Sequence, residues 1–403
     1  MRLTIEEQEM LDGKQGPGVQ KAMELLVALG ETFGAERMIE ITRAHVALSG
    51  QEGDTYFCEL LVKGGAKCKI APSTNPSWDL NLTKYYTVTD KELELNKKTI
   101  EAYTKIGAIL NFCCIPELKD NVPTFGEHVA FSESSATPYV NSVLGARTNR
   151  ESSPSALAAA VIGKTPEYGF HLDENRKGTI LVNVEANLKD EFDWGMMGWY
   201  VGKYVGSEIP VFNVKNLNKY HLPEKMLYMG AELNTSGAVA MYHIVGVTPE
   251  APTLEKAFGN NKPKFEINVT DTHIKQTQEE ISEKSGKINL VMLGCPHYTL
   301  DQIKDVAKLL EGKKVHEGVA FWILTSFATI ELAKRSGYLE TIEKAGACLV
   351  PDTCIDEPCW KSFEGGLGIT DSPKCAYYRE RRGQPFVIRR LEDCVEAAVK
   401  GEI

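Results

Sequence analysis

The C-terminal third of the chain alternates short apolar runs with amphipathic segments of helical length. Residues 287–293 form an apolar run of strand length, and residues 299–312 then carry apolar side chains at helical spacing. Thr299 and Gln302 have the spacing of a capping box at the start of this helix, and Gly312 is a stop signal at its end. The pattern predicts a buried strand followed by a surface helix.

The same alternation continues towards the C-terminus. Three further elements are predicted, namely a strand over 318–326, a helix over 328–344 and a strand over 347–354. A strand beginning at "GLGIT" and another at "PFVI", each followed by helical spacing, complete the series. Strands that are apolar throughout and alternate with helices are typical of a parallel sheet covered by helices, so the predicted fold class is α/β.

Reactive side chains follow several of these predicted strands directly. Cys295 comes just after the first strand, Cys354 closes the third, and Ser372 and Lys374 stand between the next strand and its helix. Ligands of open parallel sheets bind in the crevice beyond the carboxyl ends of the strands. The placement of thiol and ammonium groups at successive strand ends therefore predicts a functional site there.

The N-terminal part shows a similar arrangement. Residues 66–76 are predicted to form a strand and a turn, a helix follows over about 90–106, and residues 107–118 are predicted to form a strand that carries Cys113 and Cys114 near its end. These thiols are far from Cys295 and Cys354 in sequence, but thiols at the exits of different strands can meet over one crevice.

A polar segment lies between these regions. Residues 125–160 are rich in Glu, Ser, Asn and Arg, and a helix is predicted to begin near Pro154. Arg147 and Arg150 are candidates for forked contacts with a carboxylate or a phosphate. A capped loop without a binding role explains the segment equally well.

Composition and charge narrow the function classes. The chain has 403 residues, enough for roughly two or three domains, and a net charge of −10. This charge argues against nucleic acid as the main partner, because phosphate binding needs a basic surface. The N-terminus has no apolar signal segment, and no run reaches the ~18 apolar residues of a membrane span. We therefore expect a cytoplasmic protein without a membrane partner.

The ten cysteines leave three chemistries open. No CxxC pair occurs, and a reducing compartment disfavours disulfides. Thiolates from separate strands can hold zinc, with His297 or His128 as a fourth ligand, or an iron–sulfur cluster with one open iron that acts as a Lewis acid. A nucleophilic cysteine with His297 as its base is the third chemistry.

Several segments together resemble one known family. "FGEHVAFSESSATPYVNSVLGARTNRE", "GCPH", "DTC" and "TDSPKCAYY" resemble the large, catalytic subunit of aconitase X, over nearly the whole chain. The resemblance implies an aconitase-like fold of three α/β domains with mostly parallel sheets around a central iron–sulfur site. We place these domains at 1–155, 156–285 and 286–403. The resemblance also implies a swivel domain on a separate chain, so a small swivel-domain subunit is the expected partner in a heterodimer.

The resemblance also implies roles for individual residues. The metal ligands fall on Cys114, with Cys113 as its competitor, and on Cys295 and Cys354. The substrate-binding positions fall on the pairs Asn75–Pro76 and Glu133–Ser134 and on Lys374, and we add Arg147 as a second cation for a substrate carboxylate. His297 is expected to orient or line the catalytic site. The cluster is 4Fe-4S or 2Fe-2S.

Three positions depart from the family pattern. Glu117 stands where relatives often carry an aromatic residue, Cys359 adds a thiol shortly after Cys354, and the substrate loop near Ser49 and Gly50 aligns poorly. The first two bear on which cluster forms.

The resemblance implies a dehydratase that removes water from a small hydroxy acid. We expect cis-3-hydroxy-L-proline, giving 1-pyrroline-2-carboxylate, with mevalonate 5-phosphate as the alternative, because the departures at Glu117 and near Ser49 fit the phosphomevalonate pattern badly. An iron-sensing or scaffold subunit and a zinc-binding structural protein are the rivals from other classes. The polar set that includes Glu133, Ser134 and Lys374 argues against a scaffold.

Overall fold

The computed structural model of the chain describes residues 1–48, 52–79, 87–259, 261–282, 284–363 and 365–403. Helices and strands alternate through these residues, and three of the four sheets are parallel throughout. The predicted class, α/β with mostly parallel sheets, is confirmed. The departures near Ser49 and Gly50 lie outside the described residues.

The N-terminal part is built on a small parallel sheet. Its elements are α1 (Ile5–Leu11), α2 (Pro17–Thr32), β1 (Met38–Glu40), β2 (Arg43–Val46), α3 (Glu52–Lys63), β3 (Ser73–Thr74), α4 (Asp90–Ile106), β4 (Val129–Phe131), α5 (Ala136–Ser142), α6 (Ser153–Ile162) and β5 (Lys164–Pro166). The sheet order is β3-β2-β4, and β1 pairs with β5 in an antiparallel arrangement. The alanine-rich helix α6 is buried against α2 and β2, because its small side chains let the elements approach closely.

The middle part contains a four-stranded parallel sheet. Its elements are β6 (Ile180–Val184), α7 (Glu191–Val205), β7 (Pro210–Val214), α8 (Leu222–Gly237), β8 (His243–Ile244), α9 (Leu254–Phe258), β9 (Glu266–Val269) and α10 (Asp271–Ile281). The strand order is β8-β7-β6-β9. Helices α7 and α8 pack so closely that a Cβ at Gly198 would lie 2.5 Å from the carbonyl oxygen of Met229.

The C-terminal part contains a five-stranded parallel sheet. Its elements are β10 (Ile288–Leu293), α11 (Leu300–Leu310), β11 (Ala320–Thr325), α12 (Phe327–Arg335), α13 (Tyr338–Ala345), β12 (Ala347–Pro351), β13 (Leu367–Thr370), α14 (Pro373–Arg381), β14 (Phe386–Ile388) and α15 (Leu391–Lys400). The order β12-β11-β10-β13-β14 means that the chain winds to one side of β10 and then returns to its other side at β13. The loops after β10 and β13 therefore flank a topological switch point, where such sheets bind ligands.

Most elements predicted from hydrophobic spacing are present, with two differences. The predicted capping box of Thr299 and Gln302 opens α11. The predicted helix over 328–344 is two helices, α12 and α13, because Gly337 takes a left-handed conformation between them.

The predicted strand over 107–118 is wrong. Phe112 has a positive φ of 44°, which breaks the extended path, and a short 3₁₀ helix covers Pro116–Leu118. The segment still runs beside β3, because the N–H of Cys113 donates to the carbonyl of Thr74 at 3.0 Å. Cys114 is thus positioned by an irregular segment alongside β3 rather than by a strand end.

The first and third sheets are joined where their strands end. The N–H of Ser77 donates to the carbonyl of Asp352 at 3.1 Å, and the N–H of Cys354 donates back to the carbonyl of Ser77 at 2.9 Å. This bridge fixes the segment after β3 against the segment after β12. The loops that carry the predicted site residues therefore face each other.

Within the part of the chain that the structure describes, no helix is both long and apolar enough to cross a membrane.

The turn at Gly294 yields a test of how β10 delivers Cys295. Gly294 has φ +95°, and a Cβ there would lie 2.2 Å from the carbonyl oxygen of Leu324 on β11. We expect Gly294→Ala to lower the free energy of unfolding by more than the about 1–3 kcal/mol of an unfavourable φ alone. Urea denaturation measures the change.

Gly312→Ala is the matched control, because Gly312 also has a positive φ, +72°, but no atom of the described residues lies within 4 Å of its Cβ position. Equal losses of stability in the two variants would contradict a steric role for Gly294.

Candidate active site

One cavity of about 170 Å³ collects the sequence-predicted residues at the meeting point of the two sheets. Its walls come from the ends of the first and third sheets. The predicted residues that line it are Asn75, Pro76, Cys114, Glu133, Ser134, Cys295, His297, Cys354 and Lys374. We call this space the catalytic cavity.

Three thiols line the catalytic cavity from three separate segments. Cys295 follows β10 and Cys354 follows β12, while Cys114 lies on the irregular segment beside β3. The Sγ of Cys114 accepts a hydrogen bond from the backbone N–H of His297 at 3.2 Å, and the Sγ of Cys354 accepts one from Asp356 at 3.5 Å. Burial raises the pKa of each thiol above its usual value. Thiolates at these positions therefore need a positive metal centre.

Cys113, the competitor of Cys114, packs in the hydrophobic core and does not line the catalytic cavity. Within the described ranges, no three His, Cys, Asp or Glu side chains are close enough together to hold a single metal ion. Three thiols around one cavity, of which Cys295 is buried and Cys114 and Cys354 are partly exposed, fit a group with several metal atoms, in which each thiolate would bind its own iron. The donor set thus fits an iron–sulfur cluster.

Glu133 is held by a dense set of hydrogen bonds. Its Oε1 accepts from the hydroxyls of Ser134 and Ser135, each at 2.9 Å, and from the N–H of Ser135 at 3.0 Å. The amide of Asn75 donates to the other oxygen. Burial alone would raise the pKa of this carboxyl, but Lys374 and these hydrogen bonds outweigh it and lower the pKa to about 2. Glu133 is therefore a fixed anion.

Lys374 is the cationic partner of Glu133. Its Nζ lies 3.4 Å from Oε1 of Glu133 and donates to the hydroxyl of Ser134 at 3.0 Å. Burial opposes the charge on Lys374, but Glu133 raises the pKa of the ammonium above its usual value. A lysine has three donors, so two of them fix the ammonium in place and one remains for a substrate.

The sequence position of Lys374, after a strand and at the start of a helix, favours one anion bound by both the ammonium group and the helix N–H groups. The structure differs, because Glu232 on α8 accepts hydrogen bonds from the N–H of Lys374 at 3.1 Å and from the hydroxyl of Ser372 at 2.9 Å. The first turn of α14 is thus occupied by a protein carboxyl, and only the side chain of Lys374 lines the catalytic cavity.

Arg147 does not reach the catalytic cavity, so the expected pairing with Lys374 is not formed. Its guanidinium donates to the carbonyl of His171 at 2.9 Å and to the carboxylate of Asp173. Arg150 also lies elsewhere and donates to the carbonyl of Ala238 at 3.2 Å. The polar segment around Arg147 supplies Glu133 and Ser134 to the site but no guanidinium.

His297 lines the catalytic cavity as a neutral imidazole. Its Nε2 is 3.0 Å from the carbonyl oxygen of Thr353. Because a carbonyl only accepts, Nε2 carries the proton and Nδ1 is an acceptor, which has no hydrogen-bond partner within the described part of the chain. Burial lowers the pKa of His297 to about 4. The ring can therefore accept a proton or a hydrogen bond through Nδ1.

Several contributing residues were not found from the sequence. His45 is buried on β2, and its ring nitrogens contact the hydroxyl of Ser73 at 2.7 Å and the side-chain oxygen of Asn75 at 2.8 Å, so it orients Asn75 towards Glu133. Asp356, Glu357 and Tyr378 also line the catalytic cavity. A buried histidine in an apolar run was the one available signal, and it does not by itself distinguish an orienting role from packing.

Glu117 is fully buried and neither of its carboxylate oxygens has a hydrogen-bond partner among the described residues. Burial raises its pKa to about 8. It does not line the catalytic cavity, and Cys359, the other departure from the family pattern, is buried in the core.

Comparison with known proteins agrees with this arrangement. Family models described as the first, second and third domains of aconitase X match residues 1–174, 178–279 and 288–400. The crystal structure of Thermococcus kodakaraensis aconitase X in its holo-form superposes with a TM-score of 0.89 and 36% identity, covering 99% of this chain and 100% of that chain. The domain limits predicted from the sequence stay a prediction.

Two relatives illustrate the activities found among similar proteins. The phosphomevalonate dehydratase large subunit of Thermococcus kodakarensis is 38% identical over 99% of this chain and 100% of its own length. The cis-3-hydroxy-L-proline dehydratase of Pseudomonas aeruginosa is 33% identical over 99% of this chain and 70% of its own length. The predicted enzyme class, a dehydratase of the aconitase superfamily, is confirmed.

With matches to all three of its domains and a shared fold over nearly the whole length, the chain belongs to the aconitase X family.

Proposed function

We propose that the chain is the large subunit of an iron–sulfur dehydratase that converts cis-3-hydroxy-L-proline to 1-pyrroline-2-carboxylate and water. The observation that carries the substrate is the charge of the catalytic cavity. Among its described lining residues Lys374 is the one cation, while Glu133, Asp356 and Glu357 are carboxyl groups. A small amino acid with one carboxylate and one ammonium group matches this balance.

A cluster fits the thiols of Cys114, Cys295 and Cys354, and we propose these three residues as its ligands. When bound, an iron–sulfur cluster with an open iron supplies a Lewis acid that makes a substrate hydroxyl a better leaving group. The structure leaves 4Fe-4S and 2Fe-2S as alternatives. The other seven cysteines are packing or peripheral under this proposal.

The chain's own residues bind and orient the substrate around this centre. The remaining N–H of the Lys374 ammonium binds the substrate carboxylate, and the hydroxyl of Ser134 is fixed beside it. The side-chain amide of Asn75 donates a hydrogen bond to Glu133, which keeps this wall of the catalytic cavity rigid. His297 Nδ1 is placed to accept a proton or a hydrogen bond, and its pKa, lowered to about 4, keeps it neutral near pH 7.

We further propose a small swivel-domain subunit as the partner. The relative from Thermococcus kodakarensis, which this chain covers completely, is named a large subunit. A closing domain would exclude bulk water from the catalytic cavity and so strengthen the charge interactions made there by Lys374 and Glu133. The site is therefore complete only in a two-chain complex.

Mevalonate 5-phosphate dehydration is the second candidate. It is favoured by the higher identity and full-length coverage of the phosphomevalonate relative. A phosphate carries up to two negative charges and prefers several cationic or N–H partners. The single described cation of the catalytic cavity favours the amino acid substrate instead.

The substrate test uses the purified two-chain complex, prepared without oxygen. We expect the complex to remove water from cis-3-hydroxy-L-proline, as measured by mass spectrometry of the product. The large chain alone should show no turnover. Turnover of mevalonate 5-phosphate without turnover of cis-3-hydroxy-L-proline would establish the second candidate. Full activity of the isolated large chain would contradict the need for a closing subunit.

The cluster ligands are tested by serine substitution. We expect Cys114→Ser, Cys295→Ser and Cys354→Ser each to abolish the visible absorption of the anaerobic protein, since each removes a thiolate. Cys113→Ser is the matched control, because Cys113 is the adjacent thiol but packs in the core. Bleaching by Cys113→Ser with colour retained in Cys114→Ser would show that the neighbouring thiol is the ligand.

The carboxylate anchor is tested with Lys374→Met. A charge-assisted hydrogen bond contributes about 1.5–3 kcal/mol, so kcat/KM is expected to fall roughly tenfold to over a hundredfold. The visible spectrum should stay unchanged, because no metal ligand is removed.

A stability measurement separates this effect from folding. Breaking a buried ion pair costs about 3–5 kcal/mol, so Lys374→Met leaves Glu133 unpaired and lowers the free energy of unfolding. The double variant Lys374→Met/Glu133→Gln should recover stability without recovering activity. Recovery of kcat/KM together with stability would assign Lys374 a structural role only.

A further inference from the structure

A larger cavity of about 330 Å³ lies between the second and third sheets and shares no lining residue with the catalytic cavity. Residues from four helices and four strand-end loops line it, including Glu191, His221, Lys225, Tyr298, Asp371 and Leu391. Its volume falls in the range of cavities that hold small metabolites. We call it the second cavity.

Four helices begin at the second cavity. The cavity is lined by the first residues of α7 and α15, Glu191 and Leu391. It is also lined by His221, directly before α8, and by Tyr298, two residues before α11. Helix N-termini carry a partial positive charge and unpaired N–H groups, and both favour an anion. Asp190 caps α7 and Thr299 caps α11, whereas among the described residues no side chain caps the N-terminus of α8 or of α15. The N-termini of α8 and α15 are therefore the ones that retain N–H groups for an anion.

Lys225 gives an independent reason to expect an anion. It lies in the first turn of α8, lines the second cavity and is 1% exposed, yet its Nζ has no hydrogen-bond partner within the described residues. Glu191 lies in the same wall, 3.3 Å from Nδ1 of His221, and the charges of His221 and Lys225 both act on its carboxyl group. A buried ammonium without an acceptor is rare and destabilising, because its lost hydration is not replaced.

Most acidic groups of the wall already have partners. Asp190 binds Arg390 at 2.5 Å, and Asp305 binds Lys308 at 3.2 Å. Asp371 accepts a hydrogen bond from the hydroxyl of Tyr298 at 2.5 Å. Among the described residues of this wall, the Nζ of Lys225 is the buried cationic group without a hydrogen-bond partner, while the Oε1 of Glu191 and the Oδ1 of Asp371 are carboxyl oxygens that also lack one.

We propose that the second cavity binds a small metabolite through an anionic group, a carboxylate or a phosphate, held by Lys225 and the N-terminus of α8. The apolar part of the ligand lies against Phe192, Leu309 and Leu391, which also line the space. The site is separate from the catalytic cavity and does not depend on the reaction proposed for it.

The site also has a physical connection to the catalytic cavity. The loop after β10 turns His297 towards the catalytic cavity and Tyr298 towards the second cavity. The loop after β13 does the same with Lys374 and Asp371. A ligand in the second cavity therefore contacts the loops that position two catalytic-cavity residues.

The proposal is tested by titration calorimetry on the full chain with two probes, inorganic phosphate and succinate. We expect at least one probe to bind the unmodified chain and its Kd to rise at least roughly tenfold in Lys225→Met, because a charge-assisted contact is lost. Lys374→Met is the matched control, since it removes the cation of the other cavity, and it should leave the Kd unchanged. The probe that binds identifies phosphate or carboxylate as the recognised group.

Leu309→Trp provides a second variant that changes no charge. The larger side chain fills the second cavity, so we expect it to weaken binding as Lys225→Met does, even if the latter fails to fold. Absence of binding by both probes would overturn the proposal. So would a Kd that rises in Lys374→Met but not in Lys225→Met or Leu309→Trp, because the anion would then occupy the catalytic cavity.

Discussion

The buried ion pair between Lys374 and Glu133 is the constraint on which the arrangement of the site depends. Lys374 belongs to the helix after β13 in the third sheet, and Glu133 follows β4 in the first sheet. Each side chain is 8% exposed, and either charge alone would be strongly destabilising at this depth. The two sheets must therefore meet with their strand ends face to face, and the space left between them is the catalytic cavity.

The remaining site residues follow from the same meeting of sheets. The backbone bridge between Ser77 and the segment of Asp352 and Cys354 sets the distance between the first and third sheets. Cys295 enters from β10, the strand at which the winding of the third sheet changes direction. The functional groups are thus contributed by short loops on rigid strands, which is how a parallel sheet can hold several ligands of one centre without a local sequence motif.

Sequence periodicity located much of this arrangement but not all of it. Cys295, Cys354 and Lys374 line the cavity, and their position can be predicted because continuous apolar strands are easy to recognise and their carboxyl ends share one edge; their roles stay a prediction. The apolar run around Cys114 predicts a strand because it does not reveal the positive φ of Phe112. Arg147 was expected at the site, but its acceptors, His171 and Asp173, lie in a distant segment. Hydrogen-bond partners that are far apart in the sequence cannot be predicted from the local spacing of residues.

The distribution of cations explains how the chain can discriminate between anionic ligands. In the described lining of the catalytic cavity the single ammonium of Lys374 is already paired with Glu133, so under the proposed function it has one donor left for a substrate carboxylate, whereas a phosphate would need further partners. An unpaired second anion would lose its hydration without a replacement, which is a penalty that selects against it. In the second cavity Lys225 has no hydrogen-bonded partner among the described residues, and helix N-termini add to its charge. Under both proposals, the choice of ligand depends on how many donors each buried ammonium has left, rather than on the net charge of the chain.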